Sequence, residues 1–231
     1  MEVILYQKLK IKNRPRGLEE DPAQKDAEET KSPDDQIQSR SVSSCASRSR
    51  NIWSSTYLAP MRQQGTCGSC YAFAAGGVVD SSYRIRYGRS ANIAEQELID
   101  CAGGIANAMI DGCKGFFVEP TMLHAMSGVA WEGRYAYVAK DRGVCGNPPY
   151  SYKILTWGWA GIGYASVSQI KDALCHFGPV ATTIEATKLF KNYTGGVFQE
   201  KSRSRYGLIP TINHAVMIVG WDPRRSSAST R

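Results

Sequence analysis

One ten-residue stretch of the 231-residue chain concentrates side chains suited to thiol chemistry: Gln64-Gly65-Thr66-Cys67-Gly68-Ser69-Cys70-Tyr71-Ala72-Phe73. A cysteine attacks as the thiolate, so it needs surroundings that favour negative charge. The sequence after Cys70 supplies them. Phe73, Val78, Val79, Tyr83 and Tyr87 share a face at helical spacing, and Gly88 stops the run, which predicts a helix over residues 70–87. Cys70 then stands at a helix N-terminus, where unpaired N–H groups and the helix dipole attract an anion. The reaction also needs a base that can later protonate a leaving group. The chain has three histidines: His124, His176 and His214. His214 is the candidate, because it opens the apolar run His214–Trp221, predicted as a buried strand that would aim its ring. It follows Cys70 by 144 positions. A thiol nucleophile with a fixed imidazole describes acyl transfer through a thioester.

Other uses of Cys67-x-x-Cys70 fit less well. Zinc wants a second close ligand pair, but Cys101 and Cys113 lie 12 positions apart and no closely spaced histidine pair follows. A thioredoxin-like dithiol wants a βαβ context, which the pattern lacks. The chain has seven cysteines, an odd number that leaves at least one thiol outside any intrachain pairing. Disulfides call for an oxidising compartment. The start, Met1 to Lys8, lacks the basic region and long apolar stretch of a secretory leader.

The elements that must hold these residues lie in the middle of the chain. Residues 1–50 are rich in charged residues, Ser, Gln and Pro, and are expected to be disordered or weakly ordered. Composition changes at Asn51-Ile52-Trp53; residues 51–222 read as globular, and 223–231 as a polar basic tail. Further helices are predicted over 94–101 and 119–130, and from a cap at Ser166 or Ser168 to Phe177, before Gly178-Pro179. Val180–Glu185 reads as a strand. Helices early and strands late predict an α+β fold with segregated halves. The net charge of +7 is spread along the chain, so no arm for nucleic acid is expected. No run approaches the ~18 apolar residues of a membrane span, so no membrane partner is expected.

With these residues in place, the chain resembles the papain family of cysteine peptidases. The Cys70 segment carries the family's Cys-Gly-Ser-Cys-Tyr pattern. Glu95-Gln96-Glu97-Leu98-Ile99-Asp100-Cys101 resembles its second helix, and Gly112-Cys113-Lys114-Gly115 its Gly-Cys-Asn-Gly-Gly turn. Gly178-Pro179-Val180, Tyr193-Thr194-Gly195-Gly196-Val197-Phe198 and Asn213-His214-Ala215-Val216 follow in family order. The resemblance implies a two-domain papain-like fold, a helical left half and a β-barrel-like right half with the cleft between them. It implies Cys70 as nucleophile, His214 as general base and acid, and Gln64 with the Cys70 N–H as oxyanion donors. It pairs Cys67 with Cys113 and Cys101 with Cys145, leaving Cys45 and Cys175. Gly115, Phe116, Phe117, Val118, Thr183, Asn213 and Ala215 are the implied substrate-binding residues, with an apolar pocket at Phe117, Val118, Thr183 and Ala215. Peptide or protein substrates and proteinaceous peptidase inhibitors are the implied partners, with no metal and no cofactor. The family and the disulfides point to an extracellular or lysosome-like compartment.

The chain also departs from the family pattern. The family's Asn-Ser-Trp-Gly motif puts an Asn sixteen positions after its histidine; Thr230 stands there, and no Asn follows His214. The right half is accordingly expected to be incomplete at the C-terminus, with activity impaired. Phe116 replaces the second Gly of the turn, where its side chain would narrow the cleft. The alternative reading is an inactive relative that binds peptides or inhibitors, or a truncated non-functional product.

Overall fold

The run from Cys70 to Tyr87 forms an 18-residue helix, α1 (Cys70–Tyr87), in the computed structural model, which describes residues 3–6, 51–105, 111–161, 164–200 and 211–222. Gly88 ends α1 in the left-handed conformation (φ 68°), and its N–H closes on Arg84 O. One face of α1 buries Tyr71, Ala72, Ala75, Val78 and Val79. Helix α2 (Glu95–Ile105) and helix α3 (Val118–Ser127) pack on α1 and on each other. Ile93, Leu98, Val118 and Met122 fill the space between them. Helix α2 runs past the predicted 94–101. Helix α3 stops short of residue 130 because Gly128 turns the chain at φ 133°.

Strands build the other side. β1 (Val3–Tyr6), β3 (Trp157–Trp159), β4 (Val180–Ile184) and β5 (His214–Ile218) form one antiparallel sheet in the order β3-β1-β4-β5. A two-stranded ribbon joins β2 (Asn51–Ile52) to β6 (Gly220–Trp221). Helix α4 (Val167–Phe177) leads into β4, started by a capping box in which Ser166 and Gln169 bond each other's backbone N–H groups. Ser166 is therefore the cap, not Ser168. A short turn of helix, α5 (Lys188–Lys191), follows β4 and is capped by Thr187. Ala181 of β4 and Ala215 of β5 join the same core as α1, and a smaller cluster gathers around Ala173, Leu174 and Val180.

Two elements differ from the sequence-based expectation. The apolar run after His214 is two strands rather than one, and only Ala215 in it is fully buried. The ladder changes partner at Val219, whose carbonyl accepts from Trp53 N–H (3.0 Å), so the chain leaves β4 and joins β2. Among the described strands, β5 is also the last of its sheet, with β4 as its neighbour. Within the segment expected to be weakly ordered, Val3–Tyr6 forms β1 between β3 and β4. The rest of that segment, residues 7–50, and the polar tail 223–231 lie outside the described residues.

The place of β1 yields a test. Ile4 is opposite Trp159 on one side and Ala181 on the other, an interior position that tolerates no missing N–H. Ile4→Pro is expected to lower stability by roughly 1–3 kcal/mol through lost ladder bonds. Thermal melts followed by circular dichroism will show it as a midpoint several degrees lower, with Ile4→Val unchanged. Equal midpoints for the two variants would remove β1 from the sheet.

Candidate active site

Cys70 is the first residue of α1, and no side chain caps that helix start. The N-cap, Ser69, spends its hydroxyl on Tyr137, 2.8 Å away. Tyr137 O–H in turn donates to the backbone carbonyl of Gln64 (2.6 Å), so Ser69 is the donor of the pair. The Tyr137 ring packs edge-on against Phe73, one turn into α1, with centroids 5.0 Å apart. One phenol thus fastens the Gln64 loop to the helix that carries Cys70. The Gln64 side-chain amide donates to Cys67 O (2.9 Å), and its second N–H has no partner among the described residues.

Cys70 is half-buried and is the free cysteine among the described residues. Cys67–Cys113 and Cys101–Cys145 are disulfides, the pairing the family resemblance implied, and Cys175 is disulfide-bonded as well. The first bridge brings a 3-10 turn, Gly112–Lys114, against the Gln64–Cys70 loop. Gly68 N–H donates to Cys113 O (2.8 Å), and a β-carbon at Gly68 would lie 2.6 Å from that oxygen. Only glycine allows this approach. Tyr71 O–H donates to Gly112 O (3.0 Å) from beneath; burial pushes this phenol far up, so it stays a donor.

His214 opens β5 opposite Ile184. Asn213 fixes that corner. Its side-chain oxygen accepts from Ala186 N–H (2.7 Å), and its own backbone N–H donates to Ile184 O (3.1 Å). No side chain among the described residues hydrogen-bonds the His214 ring. Burial lowers its pKa below the ordinary 6.5, and the nearby Lys191 ammonium lowers it further. The other two histidines have different duties. His124 Nε2 meets the buried Glu97 carboxylate (3.0 Å), whose other oxygen accepts from Ala130 N–H (2.6 Å). His176 Nδ1–H donates to Asp172 O within its own helix (2.6 Å). Glu97, Cys101 and His124 place ligand-type atoms within 4.8 Å of one another, but the Cys101 sulfur is tied up in a disulfide.

A cleft of about 550 Å³ separates the two sides. Gln64, Gly68, Cys70, Lys114 and Gly115 line it from the helical side. Ala186, Phe190, Lys191, Asn213 and His214 line it from the sheet side. The expected nucleophile, base and oxyanion donor therefore share one cleft with Gly115 and Asn213. The other expected substrate contacts lie elsewhere. Phe116 turns onto the core and packs edge-on against Tyr71 (5.7 Å), so it does not narrow the cleft. Val118 and Ala215 are core residues, 1% and 7% exposed. Thr183 is half-buried opposite Ala215, and Phe117 is exposed outside the cleft lining. Sequence reasoning missed Tyr137, Phe190 and Lys191. A Thr followed by Lys-Leu-Phe-Lys is a capped helical turn, and that was the signal available for the last two. Nothing local marks Tyr137.

The profile of the papain family cysteine proteases matches residues 45–229. Digestive cysteine proteinase 1 of Homarus americanus is 34% identical over 167 residues, 71% of this chain and 50% of that protein. Pro-cathepsin H of Mus musculus is 30% identical over 71% of this chain and 48% of its own length. The chain thus spans about half the length of these curated relatives. Among solved structures, the bromelain protease of Ananas comosus, in complex with the E64 inhibitor, superposes with a TM-score of 0.63. It is 29% identical, and the match covers 76% of each chain. Digestive procathepsin L 3 of Tenebrio molitor larval midgut gives a TM-score of 0.65 at 27% identity, covering 76% of this chain and 55% of that one.

Two measurements probe this geometry. Tyr137→Phe removes both phenol hydrogen bonds, so it is expected to cost roughly 1–3 kcal/mol. Amide exchange over residues 64–70 should accelerate, and unchanged exchange would show that Tyr137 does not hold the loop. The second concerns pH. The fold favours the neutral His214 ring, so its contribution to stability is present above the ordinary value of 6.5 and is lost as pH falls below it. In a proton NMR titration, Lys191→Gln should move the His214 pKa upward, because a like charge is removed. A downward move or none would contradict the electrostatic reading.

Proposed function

The chain belongs to the papain family of cysteine proteases, and from that premise we propose that it hydrolyses peptide bonds through an acyl-enzyme on Cys70. The observation that carries the reading is the convergence of Gln64 and Cys70, from one stretch, and His214, from a distant one, on one cleft. The Cys70 sulfur, as thiolate, attacks the scissile carbonyl carbon. The oxyanion that forms takes the Cys70 N–H and the unused N–H of the Gln64 amide. The carbon–nitrogen bond breaks as His214 gives its proton to the leaving amine. Water then attacks the thioester while His214 takes its proton, and the acid product leaves with the thiol restored. Residues 51–222 form the peptidase domain in this reading, flanked by the segment 1–50 and the tail 223–231. Substrates are peptides or proteins, and protein inhibitors of such peptidases are the expected antagonists.

The His214 ring, with no side-chain partner among the described residues, sets an expectation for rate. An imidazole held by no second group spends time in unproductive orientations, and in the serine-peptidase arrangement losing the orienting group costs about 10⁴ in turnover. A kcat lower than that of an enzyme whose histidine has an orienting partner is proposed on this ground, with substrate binding retained.

Hydrolysis of an internally quenched peptide by the full chain, with E64 as a thiol trap, tests the proposal. Cys70→Ala should abolish both hydrolysis and covalent labelling. Gln64→Ala should lower kcat by about 10²–10³ with a smaller effect on KM. Hydrolysis that survives Cys70→Ala, or no labelling at Cys70 in the unaltered chain, would sink the reading.

A further inference from the structure

We propose that Lys191 makes the cleft select substrates with a carboxylate side chain on the residue just after the scissile bond. The proposal rests on the peptidase reading above and adds a substrate class to it. Two lysines, Lys114 and Lys191, line the cleft with His214, and among the described residues no aspartate or glutamate lines it. The two ammonium groups are not equivalent. Lys114 stands 3.5 Å from Asp111 on its own turn, a highly exposed pair that spends part of its field locally. Lys191 makes no ion pair among the described residues. Glu200, nine positions further along, accepts from the Thr187 hydroxyl (2.7 Å).

The position of Lys191 is built into the turn that carries it. Thr187 caps α5 by accepting from Phe190 N–H (3.1 Å), and Lys191 N–H closes on Thr187 O (3.0 Å). Phe190 packs edge-on against Phe198 with centroids 5.2 Å apart, pinning the turn to the loop that follows. The charge is close enough to His214 to act on its ring.

Chemistry then assigns the subsite. His214 protonates the amine that leaves, so the leaving half of the substrate lies along the wall that carries His214. Lys191 is on that wall, and Lys114 is on the wall that carries Cys70. A side chain on the first residue of the leaving half therefore meets Lys191. An open, solvated lysine–carboxylate contact carries a modest preference, about fivefold between a charged and a neutral side chain, and salt screens it.

Three quenched peptides, identical except for Glu, Gln or Lys just after the scissile bond, test this with the full chain. The expected order of kcat/KM is Glu above Gln above Lys, with the spread shrinking at high salt. Lys191→Glu should invert that order, and Lys114→Gln should leave it standing. No difference among the peptides, or an order that survives Lys191→Glu, would overturn the proposal. If none of the three is cut, the peptidase reading fails and the charge reading is still tested. Anisotropy titration of the same peptides, labelled with a single dye, onto the Cys70→Ala chain should then show the Glu peptide binding tightest. Equal binding, or no binding at all, would overturn the selection as well.

Discussion

The packing of α1 against β5 is the contact that brings Cys70 and His214 to one cleft, although 144 residues separate them in the chain. Helix α1 carries Cys70 at its start and lies on the strand that His214 opens. The contact depends on small residues. A β-carbon at Gly77 would sit 3.4 Å from the Met217 sulfur, already in van der Waals contact, so any larger side chain has no free space on that side. Ala72, Ala74 and Ala75 keep the rest of the helix slim enough to take α2 and α3 on its other faces. A larger side chain at Gly77 pushes on β5, and a shift in β5 is a shift in His214. The distance between thiol and imidazole is thus set by core volume as well as by the cleft residues themselves.

A buried polar cluster does the equivalent work for the Gln64 side of the cleft. Arg62, two residues before Gln64, bonds Asp80 of α1, Glu95 of α2, Asn92 and the carbonyl of Ile93. Burial raises both carboxylates, Glu95 to about 7, and the guanidinium opposes that rise in each. Three segments are therefore tied through one cation. Burying charges of this kind adds little net stability, but removing one partner strands the others. Their arrangement fixes where the Gln64 loop enters the cleft, and Tyr137 then closes the same loop onto Ser69.

Much of this was legible in the sequence, for identifiable reasons. Helix α1 and its stop could be read because its apolar spacing and Gly88 are local signals. Cys70, Gln64 and His214 could be read because their neighbours carry a family pattern, and so could both described pairs of disulfide partners. The strand after His214 was read as one buried run because hydrophobicity does not reveal where a ladder changes partner. β1 escaped notice because four apolar residues in a polar segment look like nothing until β3 and β4 stand on either side. Phe116 was placed by analogy with a glycine that has no side chain to place. In the folded chain Tyr71 gives its ring a wall to pack on, and the side chain follows apolar contact away from the cleft. Tyr137 acts through two oxygens brought to it by tertiary folding, and no spacing rule reaches that far.

In the proposed reading, the electrostatics of the cleft couple recognition to chemistry through a single charge. Lys191 disfavours the imidazolium form of His214, which is the form that must protonate the leaving amine. Taken alone, that is a handicap for catalysis. A carboxylate brought to Lys191 by the substrate offsets the ammonium and lets the His214 pKa rise at the moment the acid is needed. The same contact that selects the substrate then restores the acid, so an acidic side chain acts on kcat as well as on KM. A neutral side chain in that place leaves Lys191 uncompensated and the imidazole less able to hold its proton. On the proposed reading, selectivity in this cleft follows from how one lysine is shared between the substrate and His214.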